Sequence, residues 1–289
     1  MKGLFCMADI TAIVLTKNEE KNIERCLNSI RGLCRRMVVV DCGSTDATVA
    51  LAEACGAEVL YHEFEYYARQ FNWGLDNGKI DTKWVIRIDA DEQFPPELCA
   101  EIEREMARHD ADDVNGFTLE ATYFFLGRAL THGSKKRKLM VFKNGIGRIE
   151  DRRRDAHTIL SRGESIALKN RFLHYDFKDL DNFIGRYNWY ATREAMDYMD
   201  WKRGRKDASV NDAQIEGKRR KKYGVYYKFP KFLRALLWFN FNYFLRGGFL
   251  DGKEGFIYHV LSSFWYRFVV DAKIYEYEHG KAFEELKAF

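Results

Sequence analysis

The first hundred residues alternate between short β-branched apolar runs and amphipathic stretches, and this alternation constrains the fold more than any other feature. Strands are predicted at 10–16, at 36–46 with the apolar part ending on Asp41, at 57–63 and at 83–92. Helices are predicted at 18–30, 46–56, 66–78 and 95–109. This order, with short links, predicts a mostly parallel sheet with helices on both faces.

Three of the predicted strands run directly into polar residues. The stretch "TKNE" begins at Thr16, "DCGSTD" begins at Asp41 and "DADE" begins at Asp89. In open parallel sheets, ligands bind beyond the carboxyl ends of the strands. One acidic strand end is common, but three on the same edge of a sheet predict a binding site.

The two polar stretches that contain paired carboxylates favour different contacts. Asp89 and Asp91 enclose Ala90, and hard carboxylate oxygens in this arrangement suit Mg²⁺ or Mn²⁺ held against a diphosphate. The metal would act as a Lewis acid on the leaving diphosphate. Asp41 ends a buried strand, where it could accept hydrogen bonds from a base or from ribose hydroxyls, while Ser44 and the residues after it can cap the next helix.

Beyond residue 110 the pattern changes. Residues 116–127 and 136–145 are predicted to be antiparallel or mixed strands, and 173–199 is predicted to be helical. Residues 201–234 contain twelve Lys or Arg against three acidic residues. The aromatic, amphipathic tail at 232–279 is predicted to form two helices around the turn "RGGFLDGKEG".

Composition narrows the class of protein. A chain of 289 residues that is 46% hydrophobic can bury a large core, in one large domain or two smaller ones. The six cysteines lack zinc-site spacing and no secretory segment precedes them, so we expect free thiols in the cytoplasm. No run reaches the roughly 18 apolar residues of a membrane span.

The basic and aromatic tail has two readings. Lys and Arg beside amphipathic aromatic helices fit the inner face of the plasma membrane, where the protein would bind peripherally. Alternatively, the helices pack on the main domain or on a second copy in a homo-oligomer. We expect no nucleic acid partner, because no recognition module accompanies the basic residues.

Four stretches together resemble glycosyltransferase family 2, the inverting GT-A enzymes, in order and in spacing: "IVLTKNEEKNIERCLNSI", "VVVDCGSTDAT", "YYARQFNWGL" and "WVIRIDADE". The tail resembles the carboxyl end of bacterial members that build lipopolysaccharide core, O-antigen or other envelope glycans. The resemblance implies an α/β GT-A nucleotide-diphospho-sugar transferase fold, Rossmann-like with a mostly parallel sheet. It implies a catalytic domain at 7–178 and a helical C-terminal region at 179–289.

The resemblance also implies roles for individual residues. The donor would be a nucleotide sugar, with a UDP-sugar favoured. Asp91 would hold Mn²⁺ or Mg²⁺, and Asp89 would reach the ribose. Apart from the resemblance, His174 is the predicted further metal ligand, with His157 as the alternative. The other residues that the resemblance places at the nucleotide sugar or its pocket are Thr16, Asn18, Glu19, Asp41, Asp46 and Arg69. Apart from the resemblance, Ser44 is a predicted binding residue of the loop after Asp41, and Arg153 is predicted to bind the diphosphate or a charged acceptor, because guanidinium groups suit phosphate.

An inverting transfer also needs a base that takes the proton from the acceptor hydroxyl. The stretch "GRIEDRRRDAHTI" at 147–159 resembles the family's tryptophan–methionine–aspartate–glutamate–histidine motif, with Asp155 and His157 matching and Ala156 in place of the glutamate. Asp155 is therefore the predicted base, with Glu150 and Asp151 as alternatives. The acceptor implied is a saccharide or a lipid-linked saccharide.

Two other functions remain open from the sequence. A nucleotidyltransferase also uses a parallel sheet and an Asp-bound metal, but "TKNEEKN" lacks the glycine expected after its first strand. A non-catalytic membrane-binding or RNA-binding module on a transferase-like fold is supported by Ala156 and the arginine run at 152–154. Such a module predicts no turnover and no metal requirement. The transferase predicts turnover and a requirement for a metal.

Overall fold

The structure is a computed structural model that describes residues 8–151, 157–176, 178–204 and 222–280. The chain divides into two compact units. The first contains Met1–Phe124 and Lys135–Phe177, and the second contains Phe125–Ser134 and Lys178–Phe289. The predicted division at 178 stays a prediction, and the second unit also takes in a ten-residue excursion from the first.

The first unit is built on a mixed sheet. Its strands follow the order β3-β2-β1-β4-β8-β6-β11-β5. In chain order the strands of the described residues are β1 Ala8–Thr16, β2 Cys34–Asp41, β3 Glu58–Tyr61, β4 Trp84–Asp89, β5 Glu92–Gln93, β6 Val114–Phe125, β7 Arg128–Leu130, β8 Arg137–Lys143, β9 Gly147–Ile149, β10 Thr158–Leu160 and β11 Glu164–His174. Strands β9 and β10 form a separate two-stranded sheet, and β7 belongs to the second unit. Strands β3, β2, β1 and β4 are mutually parallel, and β8 runs antiparallel to both β4 and β6.

Helices cover both faces of this sheet, as the sequence predicts. They are α1 Ile23–Ile30, α2 Thr48–Ala54, α3 Tyr67–Asn77 and α4 Pro96–Arg108. Helices α1, α2 and α4 contribute to one buried apolar layer, and α3 contributes to the other. Trp84 of the central strand β4 is 1% exposed and stacks on Phe117 with ring centroids 5.0 Å apart. Burying each such side chain contributes about 2 kcal/mol to the free energy of unfolding.

Two sequence predictions were wrong at their boundaries. Helix α1 begins at Ile23 rather than at 18, because Asn18 has φ 53° and lies in a turn. The predicted helix at 173–199 was wrong at its start, since residues up to His174 belong to β11, which pairs in parallel with β6. The helix there, α5, is Leu180–Lys202, and the Asp179 side chain caps it by accepting from the Asn182 N–H at 2.9 Å.

The second unit is helical. After α5 it contains a 3-10 turn Tyr226–Lys228, α6 Leu233–Asn240, a π turn Phe241–Leu245, a 3-10 turn Gly248–Asp251, α7 Gly252–His259, a π turn Val260–Trp265 and α8 Tyr266–His279. Ala191, Ala195 and Met199 of α5 share a buried cluster with Val270 and Ile274 of α8. Two helical stretches therefore flank a turn, as predicted for the tail, but the turn is shorter than predicted because α7 begins at Gly252. Across the described ranges, no helix combines the length and apolarity needed to cross a bilayer.

Candidate functional site

The strand register brings the three polar strand ends to one edge of the sheet. Thr16 at the end of β1 lies opposite Asp41 at the end of β2. On the other side of β1, Leu15 lies opposite Asp89 at the end of β4. The rim predicted from the sequence is therefore present, and every side chain discussed below belongs to the first unit.

Asp41 is held by the chain itself. Its carboxylate accepts four hydrogen bonds, from the Gly43 N–H at 2.8 Å, the Ser44 N–H at 2.8 Å, the Ser44 hydroxyl at 2.5 Å and the Thr16 hydroxyl at 2.8 Å. Burial alone would raise the pKa of Asp41, but these hydrogen bonds outweigh it and hold the pKa below its ordinary value. The carboxylate therefore fixes the turn at Gly43, whose φ of 87° suits glycine.

Side chains join the loops after β1 and β2. The Asn18 N–H donates to the Ser44 hydroxyl at 2.8 Å, and the Asn18 side-chain oxygen accepts from the Thr45 N–H at 2.8 Å. The Glu19 N–H donates to the Thr48 hydroxyl at 2.7 Å. Asp46 accepts from the N–H groups of Thr48 and Glu20. The predicted pocket residues of these two loops thus form one hydrogen-bonded surface that needs little reordering to receive a ligand.

Asp89 lies in a charge-compensated group that the sequence did not reveal. The Lys138 ammonium on β8 is 2.9 Å from the Asp89 carboxylate and 2.5 Å from Glu92, and the Tyr67 hydroxyl also donates to Asp89. Burial alone would raise the pKa of Asp89, but Lys138 and Arg87 hold it well below its ordinary range. The carboxylate is therefore ionised at neutral pH. Only the pairing of β8 with β4 brings Lys138 here, across about fifty residues of chain, and no local motif signals it.

Asp91 and His174, the two predicted metal ligands, lie close together. His174 pairs with Glu92 where β11 meets β5, and its Nδ1 lies 3.6 Å from Asp91 Oδ1 and 3.6 Å from Glu92 Oε1. This nitrogen is buried and makes no hydrogen bond. A buried orphan nitrogen beside carboxylate oxygens fits a divalent cation.

The cation would have few protein ligands. Within the described ranges, no three or more His, Cys, Asp and Glu side chains are grouped as a complete metal site. Mg²⁺ is usually bound through one or two carboxylates and completes its shell with water and substrate phosphates. The role of Asp91 and His174 as ligands stays a prediction.

The predicted base, Asp155, and the predicted phosphate-binding Arg153 lie outside the described residues. The two alternatives differ in setting. Glu150 is buried and accepts from the N–H and Nδ1 of His157, at 2.9 and 3.0 Å. Asp151 is largely exposed, accepts from the Tyr66 hydroxyl and lies 3.6 Å from the Arg69 guanidinium.

Arg69 and Asp151 are brought together by the start of α3. Arg69 also pairs with Glu65 one turn earlier in the chain, and its guanidinium lies 4.9 Å from the centroid of the Tyr66 ring. Burial and the contact with Asp151 raise the pKa of Tyr66 to about 12. The hydroxyl of Tyr66 therefore stays protonated and donates to Asp151.

Comparison with known proteins places this site in context. The model of the family described as "Glycosyl transferase family 2" matches residues 11–176. An uncharacterised glycosyltransferase of Rickettsia typhi is 26% identical over 286 residues, covering 93% of this chain and 88% of the relative. A lipopolysaccharide core biosynthesis glycosyltransferase of Rhizobium meliloti is 27% identical over 282 residues, covering 94% of each chain.

A solved structure also matches in part. Glucosyl-3-phosphoglycerate synthase from Mycobacterium tuberculosis, crystallised with Mn²⁺, UDP and glucosyl-3-phosphoglycerate, is 22% identical. The match covers 40% of this chain and 44% of that one at a TM-score of 0.32, which is too low to support an argument.

Proposed function

Because the chain belongs to glycosyl transferase family 2 and is a glycosyltransferase, we propose that it transfers a sugar with inversion from a nucleotide sugar to a saccharide or lipid-linked acceptor of a bacterial envelope glycan. The GT-A fold with a C-terminal helical region, expected from the sequence, is confirmed. The donor we propose is a UDP-sugar. The likeness to the Rhizobium meliloti enzyme supports lipopolysaccharide core or O-antigen synthesis as the setting.

The observation that carries the proposal is the convergence of Asp41, Asp89 and the Asp91–His174 pair on one edge of the sheet. The joined loops around Asn18 and Ser44 would receive the nucleoside, since their polar groups are already fixed in place. Asp89 would meet the ribose. The diphosphate would then extend toward Asp91 and His174, which could bind it through a cation.

Asp91 and His174 would hold Mn²⁺ or Mg²⁺, which would neutralise the charge that grows on the leaving diphosphate. Arg69 and Arg153 would add guanidinium donors to the phosphates. Asp155 would take the proton from the acceptor hydroxyl while the acceptor oxygen attacks the anomeric carbon. Glu150 and Asp151 remain the alternative bases.

Calorimetric titration of UDP and of GDP, each with Mn²⁺, tests the site in wild type and in Asp91→Ala. We expect metal-dependent UDP binding that Asp91→Ala abolishes. The matched control is Asp81→Ala, because Asp81 is an exposed carboxylate paired with Arg35 at 2.8 Å and precedes β4, at the opposite edge of the sheet.

Each outcome has a distinct meaning. Binding of GDP in place of UDP would keep the transferase and change the donor. Binding of neither nucleotide by folded protein would contradict the site, as would equal loss in Asp81→Ala and Asp91→Ala. Release of UDP from a UDP-sugar in the presence of envelope lipid extract separates a working transferase from a non-catalytic module, which would show none.

A further inference from the structure

The second unit exposes a continuous strip of aromatic rings. Neighbouring ring centroids along the strip are 5.0 to 6.5 Å apart. Six of its nine members are exposed. The aromatic strip consists of Tyr275, Phe232, Phe268, Phe264, Phe239, Tyr243, Phe244, Phe249 and Phe256.

Aliphatic side chains on the same elements widen this apolar surface. Leu245, next to Phe244 in the strip, is 79% exposed, and Leu250, next to Phe249, is 56% exposed. Leu233, Leu236 and Leu237 of α6 are also about half exposed. Water-soluble domains seldom leave large contiguous apolar patches uncovered, and such patches usually mark a site of interaction.

The turn between α6 and α7 displays its apolar residues from a rigid base. Asp251 is 2% exposed and accepts four hydrogen bonds, from the N–H and hydroxyl of Thr131 and from the N–H and Nδ1 of His132, at 2.8 to 3.2 Å. Asp251 is buried, whereas its neighbours Phe249 and Leu250 are about half exposed. Their exposure is therefore a fixed property of the turn rather than a result of slack in the chain.

Cations border the aromatic strip. Arg246 and Lys253 flank Phe249 and Leu250 along the chain, and both are exposed. Residues 228–268 contain six Lys or Arg, of which Lys231, Arg234 and Arg267 pair with Glu278, Asp271 and Glu194. The other three cations, Lys228, Arg246 and Lys253, are exposed, and the segment contains two acidic residues. Of those two, Asp251 is buried against His132, and Glu254 lies 3.7 Å from Arg128. The charge displayed around the apolar surface is consequently positive.

We propose that the aromatic strip rests on the surface of an anionic lipid bilayer, with Phe249 and Leu250 inserted at the boundary between headgroups and acyl chains. Arg246 and Lys253 then meet the lipid phosphates, since Lys and Arg at such a boundary keep their charge in the headgroup layer. This inference deepens the proposed function, on which it rests for the lipid-linked acceptor, and it names the surface that meets the lipid.

A second copy of the chain is a weaker occupant for the same surface. A two-fold symmetric contact buries the same patch on both partners. Arg246 and Lys253 of one copy would then lie close to the same cations of the other, and like charges brought together in an interface oppose association. An anionic bilayer supplies the opposite charge along the whole border.

Co-sedimentation of the full chain with sucrose-loaded vesicles tests the proposal. Vesicles of phosphatidylglycerol with phosphatidylcholine are compared with vesicles of phosphatidylcholine alone. We expect binding to the anionic vesicles that falls about tenfold or more in the double variant Phe249→Ser/Leu250→Ser. A similar fall is expected for Arg246→Gln/Lys253→Gln on anionic vesicles only.

The matched control is Leu126→Ser/Val225→Ser, which removes two exposed apolar side chains from the second unit outside the strip. It should bind vesicles as wild type does. Thermal unfolding by circular dichroism checks that each variant folds. If the double variant Phe249→Ser/Leu250→Ser does not fold, the single variant Leu245→Ser, next to Phe244, tests the same apolar surface.

Three results would overturn the proposal. The first is wild-type protein that does not bind anionic vesicles. The second is equal vesicle binding by Phe249→Ser/Leu250→Ser and by Leu126→Ser/Val225→Ser. The third is a wild-type dimer that binds no lipid and that Phe249→Ser/Leu250→Ser dissociates. Titration with UDP and Mn²⁺ separates this proposal from the proposed function. Normal UDP binding without vesicle binding refutes only the bilayer surface, whereas vesicle binding without UDP or GDP binding refutes only the donor site.

Discussion

Asp41 in the first unit and Asp251 in the second are buried carboxylates of the same kind. Each accepts four hydrogen bonds from nearby backbone and side-chain donors, and hydrogen bonding lowers the pKa of each below its ordinary value. They differ in what the adjacent turn displays. The turn after Asp41 presents hydroxyls and amides, whereas the turn before Asp251 presents Phe249 and Leu250.

The comparison shows that a buried, hydrogen-bonded carboxylate can support either a polar or an apolar exposed turn. A carboxylate that accepts hydrogen bonds from a turn restricts the backbone of that turn to one conformation. The neighbouring side chains are then not needed to hold the turn and can contact a ligand. At the sheet rim we propose that this ligand is a nucleotide sugar. On the second unit we propose that it is a lipid surface. Substitutions at the two carboxylates therefore separate the two functions.

The largest effect is expected from Asp41→Ala. It removes the acceptor for four donors around a residue that is 3% exposed, so we expect a loss of about 3 kcal/mol in the free energy of unfolding. Nucleotide binding should weaken as well, because the turn at Gly43 loses its anchor. Urea denaturation and UDP titration measure the two effects.

Asp76→Ala is the control for Asp41→Ala. Asp76 forms an exposed two-bond pair with Arg148, at 2.7 and 2.9 Å, and losing such a pair costs about 1 kcal/mol or less. Equal losses in the two variants would mean that Asp41 does not hold the turn.

A smaller effect, about 2 kcal/mol, is expected from Asp251→Ala. Its donors belong to Thr131 and His132, which are exposed and can turn to water when the carboxylate is lost. Vesicle binding should fall because the turn that carries Phe249 and Leu250 loosens, while UDP affinity should stay at the wild-type value. A fall in UDP affinity with vesicle binding intact would contradict the separation of the two functions.

The contribution of both carboxylates should depend on pH in the same direction. The folded-state pKa of each is lowered, so each stabilises the fold fully above the unfolded Asp pKa of about 3.9 and loses that contribution as pH falls through the folded value. The unfolding free-energy difference between wild type and Asp41→Asn, or Asp251→Asn, should therefore be constant between about pH 5 and 7 and shrink below about pH 4. Urea denaturation between about pH 3 and 7 measures this free-energy difference. A difference that grows as the pH falls would contradict the prediction.

The sequence predicted the parts of the fold that local patterns determine. β-branched runs ending on Thr16, Asp41 and Asp89 predict parallel strands, and parallel strands put those ends on one edge. That argument needs no knowledge of distant contacts. It was confirmed by the register, in which Thr16 faces Asp41.

Long-range pairing produced the features that the sequence did not predict. Strand β11 was missed although Ile166, Leu168 and Phe172 fall at even spacing, because a run of polar residues interrupts them. Lys138 was missed because only the pairing of β8 with β4 carries it to Asp89. The aromatic tail was recognised as amphipathic, but the exposed strip depends on how its helices pack, which periodicity alone does not determine.

The smallest effects, from single hydroxyls, sharpen the comparison between the two carboxylates. Thr16 is buried and donates to Asp41 at 2.8 Å, whereas Thr131 is exposed and donates to Asp251 at 3.0 Å. Thr16→Val should cost about 1.5 kcal/mol, because no water can replace the lost donor, and Thr131→Val should cost about 0.5 kcal/mol, because water can. Thr16→Ser and Thr131→Ser keep the hydroxyl and serve as controls in the same denaturation series. If the two valine variants lose equal stability, solvent access does not distinguish the turns, and the polar rim and the apolar turn are held with the same strength.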